Sequence, residues 1–205
     1  MKSIKQGNLT PIKFRQALPS ALFVLLLGAF YAPEHNWSWQ GELGQGAWWA
    51  GVLAGVVLYA LAYWLTLSPK AVTKSVRDIL VTLRQMFKNF SWTQIVILSI
   101  LAGVGEELLM RGALQSWLDP KIGTPFAILL TAVVFGLLHF MNIAYVVLTF
   151  CIGIIFGVMF HLSESMIFVM LAHTVYDILA FAAIIKYPHL VGLGDDQQTL
   201  LIRDE

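Results

Sequence analysis

Long apolar stretches separated by short polar segments make up most of the chain. Six such runs can be traced, at about residues 18–32, 47–67, 93–117, 124–140, 143–161 and 166–186. They are continuous and lack the alternation of apolar and polar positions that barrel strands show. Because lipid offers the backbone no hydrogen-bond partners, continuous apolar spans must be helical. The pattern therefore predicts an all-α protein, a polytopic transmembrane helical bundle of about six spans.

Residues 68–92 follow a different pattern, in which basic residues are interleaved with apolar positions at helical spacing. The basic residues are Lys70, Lys74, Arg77, Arg84 and Lys88, and the apolar ones are Val72, Val76, Ile79, Leu80, Leu83, Met86 and Phe87. This pattern predicts an amphipathic helix on the membrane surface, with a solvated linker helix as the alternative. The positions of Lys and Arg also predict that the N-terminus and this segment lie on the cytoplasmic side.

The composition agrees with a membrane protein. Of the 205 residues, 58% are hydrophobic and 12% are charged, and the mean hydropathy is +0.74, whereas soluble domains carry about 25% charged residues. A net charge of +1 argues against nucleic acid as a partner. The single cysteine, Cys151, excludes an intrachain disulfide, and we expect it to be a small buried apolar side chain. No repeat or second domain is visible, which predicts one integral membrane domain over residues 1–205.

Titratable side chains stand inside three of the apolar runs, where burying a charge costs about 2.5–3.5 kcal/mol or more at the bilayer centre. They are Glu106, Glu107 and Arg111 in the third run, His139 in the fourth, and His173 and Asp177 in the sixth. Because their burial in the membrane is this costly, these titratable side chains need polar partners. Small residues such as Gly103, Gly105 and Gly153 let helices approach closely enough to supply them.

The spacing of these residues predicts which of them are neighbours. Glu107 and Arg111 are four residues apart and therefore adjacent on one helix face, and the same spacing separates His173 from Asp177. Glu106 points about 100° away from Glu107 and lacks such a partner. A structural ion pair, a histidine strut between helices, or a self-satisfied His–Asp pair would each explain one part alone. The concentration of all of them in three spans favours a catalytic site.

These residues resemble the motifs of a known family. Glu-Glu-x-x-x-Arg is matched by Glu106, Glu107 and Arg111, Phe-x-x-x-His by Phe135 and His139, Phe-x-x-Gly by Phe150 and Gly153, and His-x-x-x-Asn/Asp by His173 and Asp177. In this order and at these separations, over about residues 93–185, the chain resembles the CAAX protease and bacteriocin-processing family, also called the ABI family of intramembrane peptidases. It is most similar to the type II CAAX prenyl endopeptidases.

The resemblance implies an enzyme, an intramembrane glutamic endopeptidase that hydrolyses a peptide bond of a membrane-associated peptide or protein. Carried over, Glu106 is the general base and His139 helps to hold the attacking water. His173 would stabilise the oxyanion, and Glu107 with Arg111 would form a supporting pair. The motif-bearing core would extend over about residues 93–186, in a protein surrounded by the lipid bilayer. We expect its location to be the cytoplasmic membrane of a bacterium.

The last motif departs from the pattern of the prenyl-peptidase branch, which tends to carry Asn where this chain has Asp177. Because an ionised carboxylate cannot donate a hydrogen bond, we expect Asp177 to act in the catalytic site as an acceptor that orients His173 and supports its positive charge. The departure weakens the case for prenylated substrates and leaves peptidase chemistry intact.

No cofactor is predicted, and the alternative is a zinc-dependent membrane metalloprotease. The zinc ligands would then be Glu106, His139, His173 and Asp177. Against zinc, the chain lacks a His-Glu-x-x-His helix, and the resemblance favours a metal-free mechanism. A non-catalytic bacteriocin-immunity or scaffold protein is the main alternative function, ahead of the zinc enzyme. A small transporter is the least favoured, because paired broken helices are absent from the sequence pattern.

Overall fold

The computed structural model describes residues 10–32, 37–67 and 74–193. Within these ranges the chain is a bundle of eight α-helices. They are α1 (Phe14–Tyr31), α2 (Ala47–Leu67), α3 (Lys74–Phe87), α4 (Trp92–Glu107), α5 (Ser116–Ile122), α6 (Thr124–Leu138), α7 (Ile143–Ser163) and α8 (Met166–Lys186). A π-helical segment, Leu108–Gln115, joins α4 to α5 without a break, and short 3-10 turns occupy Gly41–Gly46 and Pro188–Val191.

All six predicted apolar runs are helical, which confirms the all-α class. Five helical stretches in the described part of the chain are long and apolar enough to cross a bilayer. The run at 124–140 is the exception, because its helix α6 has only 15 residues and rises about 22 Å, against a hydrocarbon core of about 30 Å. The protein is therefore an integral membrane protein whose described part holds five candidate membrane spans and one shorter apolar helix.

Helix α3 is the predicted amphipathic helix, although residues 68–73 lie outside the described part. Its apolar side chains Leu80 and Leu83 pack on the cluster that contains Ile95 and Ile184, near the ends of α4 and α8. The Arg84 Nη1 atom donates to the backbone oxygen of Ile184 at 3.4 Å. Apolar packing and a polar anchor thus dock α3 on one end of the bundle. Its location at the membrane surface stays a prediction from its amphipathic character.

Close helix contacts at small residues bring the polar side chains of different helices together. Helix α4 lies between α1 and α8. A methyl group added at Gly103 would lie 2.7 Å from the backbone nitrogen of Thr174 on α8. On the other side of the bundle, a methyl group at Gly153 of α7 would lie 3.1 Å from the Cα atom of Ala132 on α6. The backbones of these two helix pairs therefore nearly touch.

The outer surface of the bundle is apolar, as lipid requires. Large exposed side chains such as Leu26, Trp49 and Leu53 cover α1 and α2. Cys151 on α7 belongs to this surface, because it is exposed. Our expectation that Cys151 is buried was therefore wrong. In a membrane span the lipid-facing and core-facing positions are both apolar, so a continuous apolar run does not show which is which.

Candidate active site

Three helices bring the predicted site residues together. Glu106 lies in the last turn of α4, His139 is the residue that ends α6, and His173 lies in the middle of α8. The Glu106 Oε2 atom is 3.7 Å from His139 Nε2 and 4.0 Å from His173 Nε2. The structure therefore brings both histidines to the Glu106 carboxylate.

The His139 ring is oriented by its own helix. Its Nδ1 atom is 2.8 Å from the backbone oxygen of Phe135. A carbonyl oxygen only accepts hydrogen bonds, so Nδ1 carries the proton that is donated. In the neutral ring, Nε2 then has a free lone pair, and this is the atom that faces Glu106. His139 is therefore set up as a hydrogen-bond acceptor beside the Glu106 carboxylate.

The His173 ring is oriented by two neighbouring helices. Its Nδ1 atom donates to Glu107 Oε1 at 2.8 Å. One face of the ring stacks on Phe156 of α7, with ring centroids 4.8 Å apart and planes inclined by 20°. Together these contacts hold Nε2 toward Glu106. His173 is only 6% exposed, so its ring has little freedom to turn.

The predicted ion pair between Glu107 and Arg111 is present and fully buried. The Arg111 Nε atom is 3.2 Å from Glu107 Oε2, and its Nη1 atom donates to Glu107 Oε1 at 3.3 Å. Its Nη2 atom donates to the backbone oxygen of Gly153 on α7 at 2.7 Å. The guanidinium also lies over the rings of Phe135 and Phe156, 5.4 and 5.7 Å from their centroids. Arg111 therefore ties α7 to the glutamate that orients His173.

Asp177 lies beside the His173 ring, as its spacing suggested. Its Oδ2 atom is 3.7 Å from His173 Nε2, which is within ion-pair distance but too long for a direct hydrogen bond. The hydrogen-bonded ring nitrogen is Nδ1, and its partner is Glu107 on another helix. The role of Asp177 as an acceptor that supports His173 stays a prediction.

Three further residues at the site escaped the sequence analysis. Gln115, one turn beyond Arg111, donates through Nε2 to the backbone oxygen of Gly157 at 3.1 Å. As an isolated polar residue in an apolar run, Gln115 could have been noticed. Phe156, which stacks on His173, and Tyr145, whose ring lies against His139, are aromatic residues among many. No spacing rule would have distinguished them.

The π-helical segment begins directly after Glu107 and includes both Arg111 and Gln115. Single-turn π insertions interrupt α-helices most often at functional sites, and their i→i+5 bonding shifts the direction of the following side chains. Here the segment directs Arg111 and Gln115 onto two successive turns of α7, at Gly153 and Gly157. The sequence pattern did not predict it.

The spacing of the alternative zinc ligands is wide. In the described part of the chain, no group of three or more His, Cys, Asp or Glu residues has the arrangement of a metal site. Neighbouring ligands of a tetrahedral zinc ion are about 3.3 Å apart, from bonds of about 2.0 Å. The contacts between Glu106, the two histidines and Asp177 are 3.7–4.0 Å long. The independence of the reaction from metal stays a prediction.

Comparison with known proteins agrees with the geometry. A family model described as Rce1-like, type II CAAX prenyl endopeptidase Rce1-like, matches residues 88–179. All six titratable residues of the site lie within that segment. No curated protein and no solved structure matches the chain. The match confirms the resemblance that the four motifs indicated. The segment that builds the site is therefore similar to the Rce1-like type II CAAX prenyl endopeptidases.

Proposed function

We propose that this protein is an intramembrane endopeptidase in which Glu106 activates a water molecule for attack on a peptide bond. The observation that carries the proposal is the position of Glu106 Oε2, 3.7 Å from His139 Nε2 and 4.0 Å from His173 Nε2. A carboxylate and two ring nitrogens thus face one small space inside a membrane-embedded bundle. General acid–base chemistry needs this combination of groups.

Glu106 and His139 fit the task of holding the water. Their separation of 3.7 Å is too long for a direct hydrogen bond but suits one water about 2.8 Å from each atom. The Glu106 carboxylate and the lone pair of His139 Nε2 both accept, so the water would donate one hydrogen to each. Its oxygen lone pairs would then point away from both side chains, toward the carbonyl carbon of the scissile bond.

Glu106 alone accepts and returns the proton that is transferred in the reaction. As the water oxygen attacks, one water proton passes to the Glu106 carboxylate and the carbonyl oxygen becomes an oxyanion. When the tetrahedral intermediate collapses, the carbon–nitrogen bond breaks and the protonated Glu106 returns the proton to the leaving amine. The carboxylate is thereby regenerated. No covalent enzyme intermediate and no external proton donor are required.

His173 is placed to stabilise the oxyanion. Its Nδ1–H is held by Glu107, so Nε2 can donate a hydrogen bond only when the ring carries both protons. Three carboxylates surround this ring: Glu107 on Nδ1, and Glu106 and Asp177 on the side of Nε2. Arg111 balances the charge of Glu107. The buried Glu107–Arg111 pair thus supports the chemistry without contacting the substrate.

The substrate is a membrane-associated peptide that approaches from the side of Glu106 and His139. These side chains are 22% and 28% exposed, whereas His173 is 6% exposed. Glu106 lies 14 residues after Trp92, where α4 begins, and therefore about 21 Å along the helix. With the basic helix α3 on the cytoplasmic side, as the distribution of Lys and Arg indicates, this depth lies inside the bilayer of a bacterial cytoplasmic membrane.

The proposal is tested with the whole chain in liposomes and in cells. The probes are a quenched-fluorescence CAAX peptide with a farnesylated cysteine and the same peptide without the farnesyl chain. We expect the wild type to cleave at least one of them and Glu106→Gln to cleave neither. In cells, an uncleaved membrane peptide should accumulate with Glu106→Gln. Equal cleavage and equal peptide content with both proteins would contradict the proposal and favour a non-catalytic immunity or scaffold protein.

A further inference from the structure

The site as described has a shortage of hydrogen-bond donors for the oxyanion. Such sites commonly offer more than one preorganised donor, because charge develops on the carbonyl oxygen within a space that excludes water. Here Glu106 and Asp177 are carboxylates, and the His139 Nε2 atom is an acceptor in the neutral ring. That leaves the Nε2 atom of His173. A second donor must come from elsewhere in the bundle.

Tyr145 lies at the right place to be this donor. Its backbone N–H donates to the side chain of Asn142 at 2.9 Å, which fixes the first turn of α7. Its ring meets the His139 ring edge to face, with centroids 6.3 Å apart and planes inclined by 74°. The phenol interacts electrostatically with the carboxylates of Asp177 and Glu106. The side chain therefore reaches from α7 to the space between α4, α6 and α8.

The hydroxyl group of Tyr145 is available for a substrate. Among the described residues, no hydrogen bond uses it; those at this position involve the backbone N–H and oxygen of Tyr145. Its oxygen is also not one of the completely buried side-chain atoms that lack a hydrogen-bond partner in the described part of the chain. The phenol therefore lies beside a histidine and two carboxylates of the active site with a hydroxyl proton that no other side chain uses.

We propose that Tyr145 is a catalytic residue whose hydroxyl group donates a hydrogen bond to the oxyanion, together with His173 Nε2. The inference rests on the proposed peptidase function and adds a residue to it. The two donors come from different helices, α7 and α8, and face Glu106 on α4. The phenol keeps its proton throughout, so the proton transfers through Glu106 are unchanged.

The central test is Tyr145→Phe, which removes the hydroxyl group and keeps the ring against His139. Loss of one oxyanion donor costs about 10²–10³-fold in kcat. We expect a fall of that size for whichever of the two CAAX peptides the wild type cleaves, with KM within about twofold of the wild type. The matched control is Tyr176→Phe on α8. Its phenol lies near Asp177 and Tyr59 but has no interaction with Glu106, so kcat should stay within about threefold.

Glu106→Gln is measured alongside to separate two kinds of failure. If Glu106→Gln is inactive and Tyr145→Phe retains the wild-type kcat, the role of Tyr145 is wrong and the proposed function stands. Wild-type cleavage by Glu106→Gln, or no cleavage by the wild type, would overturn the proposed function and this inference with it. An equal loss in Tyr145→Phe and Tyr176→Phe would also overturn the inference, because removal of any nearby phenol would then suffice.

A second variant covers the case in which Tyr145→Phe fails to fold. Incorporation of 3,5-difluorotyrosine at position 145 makes the phenol more acidic and changes its shape little. If the proton of this phenol is needed, activity at high pH should be lost at a lower pH than in the wild type. Coincident rate–pH profiles for the two proteins would refute the assignment.

Discussion

Replacing Glu106 and Glu107 by glutamine, one at a time, should distinguish the residue that activates water from the residue that stabilises the site. Glu107 is fully buried and has two partners: Arg111, at 3.2 Å between Nε and Oε2, and His173, at 2.8 Å between Nδ1 and Oε1. Glu107→Gln leaves the buried guanidinium of Arg111 uncompensated, which costs about 3–5 kcal/mol in free energy of unfolding. For a chain of this size, that lowers Tm by about 6–20 °C.

The structure adds a second effect of Glu107→Gln to the loss of stability. The charged acceptor of the His173 Nδ1–H is replaced by a neutral amide oxygen. Hydrogen bonds to charged groups contribute about 1.5–3 kcal/mol, so kcat should fall by about 10–150-fold even in folded protein. If Glu107 contacted only Arg111, as the four-residue spacing suggests, Glu107→Gln would lose activity only because it unfolds. Because Glu107 also binds His173, we expect the folded variant to lose activity as well.

Glu106→Gln should have the opposite signature. Glu106 is 22% exposed, and its carboxylate is 3.7 Å from His139 Nε2 and 4.0 Å from His173 Nε2, so no direct hydrogen bond to either ring is lost. The amide keeps the shape but not the basicity, and turnover should fall by about 10²–10⁴-fold. The change in Tm should remain small, because a neutral amide costs less to bury than a carboxylate.

Both variants are purified and compared in the same assays, with Glu164→Gln as the control. Glu164 is an exposed carboxylate at the turn between α7 and α8, and it has no role in the proposed mechanism. Tryptophan fluorescence gives Tm, and cleavage of the quenched CAAX peptide gives kcat well below the lower Tm. If Glu106→Gln unfolds while Glu107→Gln folds and is inactive, the two roles are reversed. If both cleave normally, the peptidase mechanism is refuted.

Three other predictions follow from the geometry. Activity and Tm should survive exhaustive chelation; stoichiometric zinc whose removal abolishes activity and whose return restores it would contradict this. Phe156→Leu removes the ring that stacks on His173, a contact that contributes about 0.5–1.5 kcal/mol. We therefore expect kcat to fall about 2–13-fold with KM unchanged. A change in KM alone would argue against an orienting role for Phe156. Gly103→Ala should lower the free energy of unfolding by about 1–3 kcal/mol, because its methyl group would meet the backbone of Thr174. Gly46→Ala is the control, since the space around Gly46 is open. Equal Tm values for the two variants would refute the close contact of α4 and α8.

Much of the site was visible in the sequence because helical geometry is local. Four-residue spacing predicted the Glu107–Arg111 pair, which is present. The same spacing paired His173 with Asp177, which lie 3.7 Å apart, but it did not reveal that Glu107 of another helix binds the Nδ1 atom of the ring. Neighbours on one helix follow from the period of the helix. Neighbours on different helices depend on the rotation and depth at which the helices pack, which a single run of residues does not encode.

The apolar runs of the sequence establish a helical membrane bundle, because runs without barrel alternation satisfy the backbone within lipid only as helices. The six titratable residues inside the bundle were also visible in the sequence. How these residues combine depends on tertiary packing: His139 and His173 both face Glu106 through Nε2, Tyr145 lies against His139, and Cys151 faces outward. The sequence does not encode these contacts in a simple pattern, because lipid and protein core are equally apolar. Hydrophobicity therefore selects the spans, while close packing and polar partners select their arrangement.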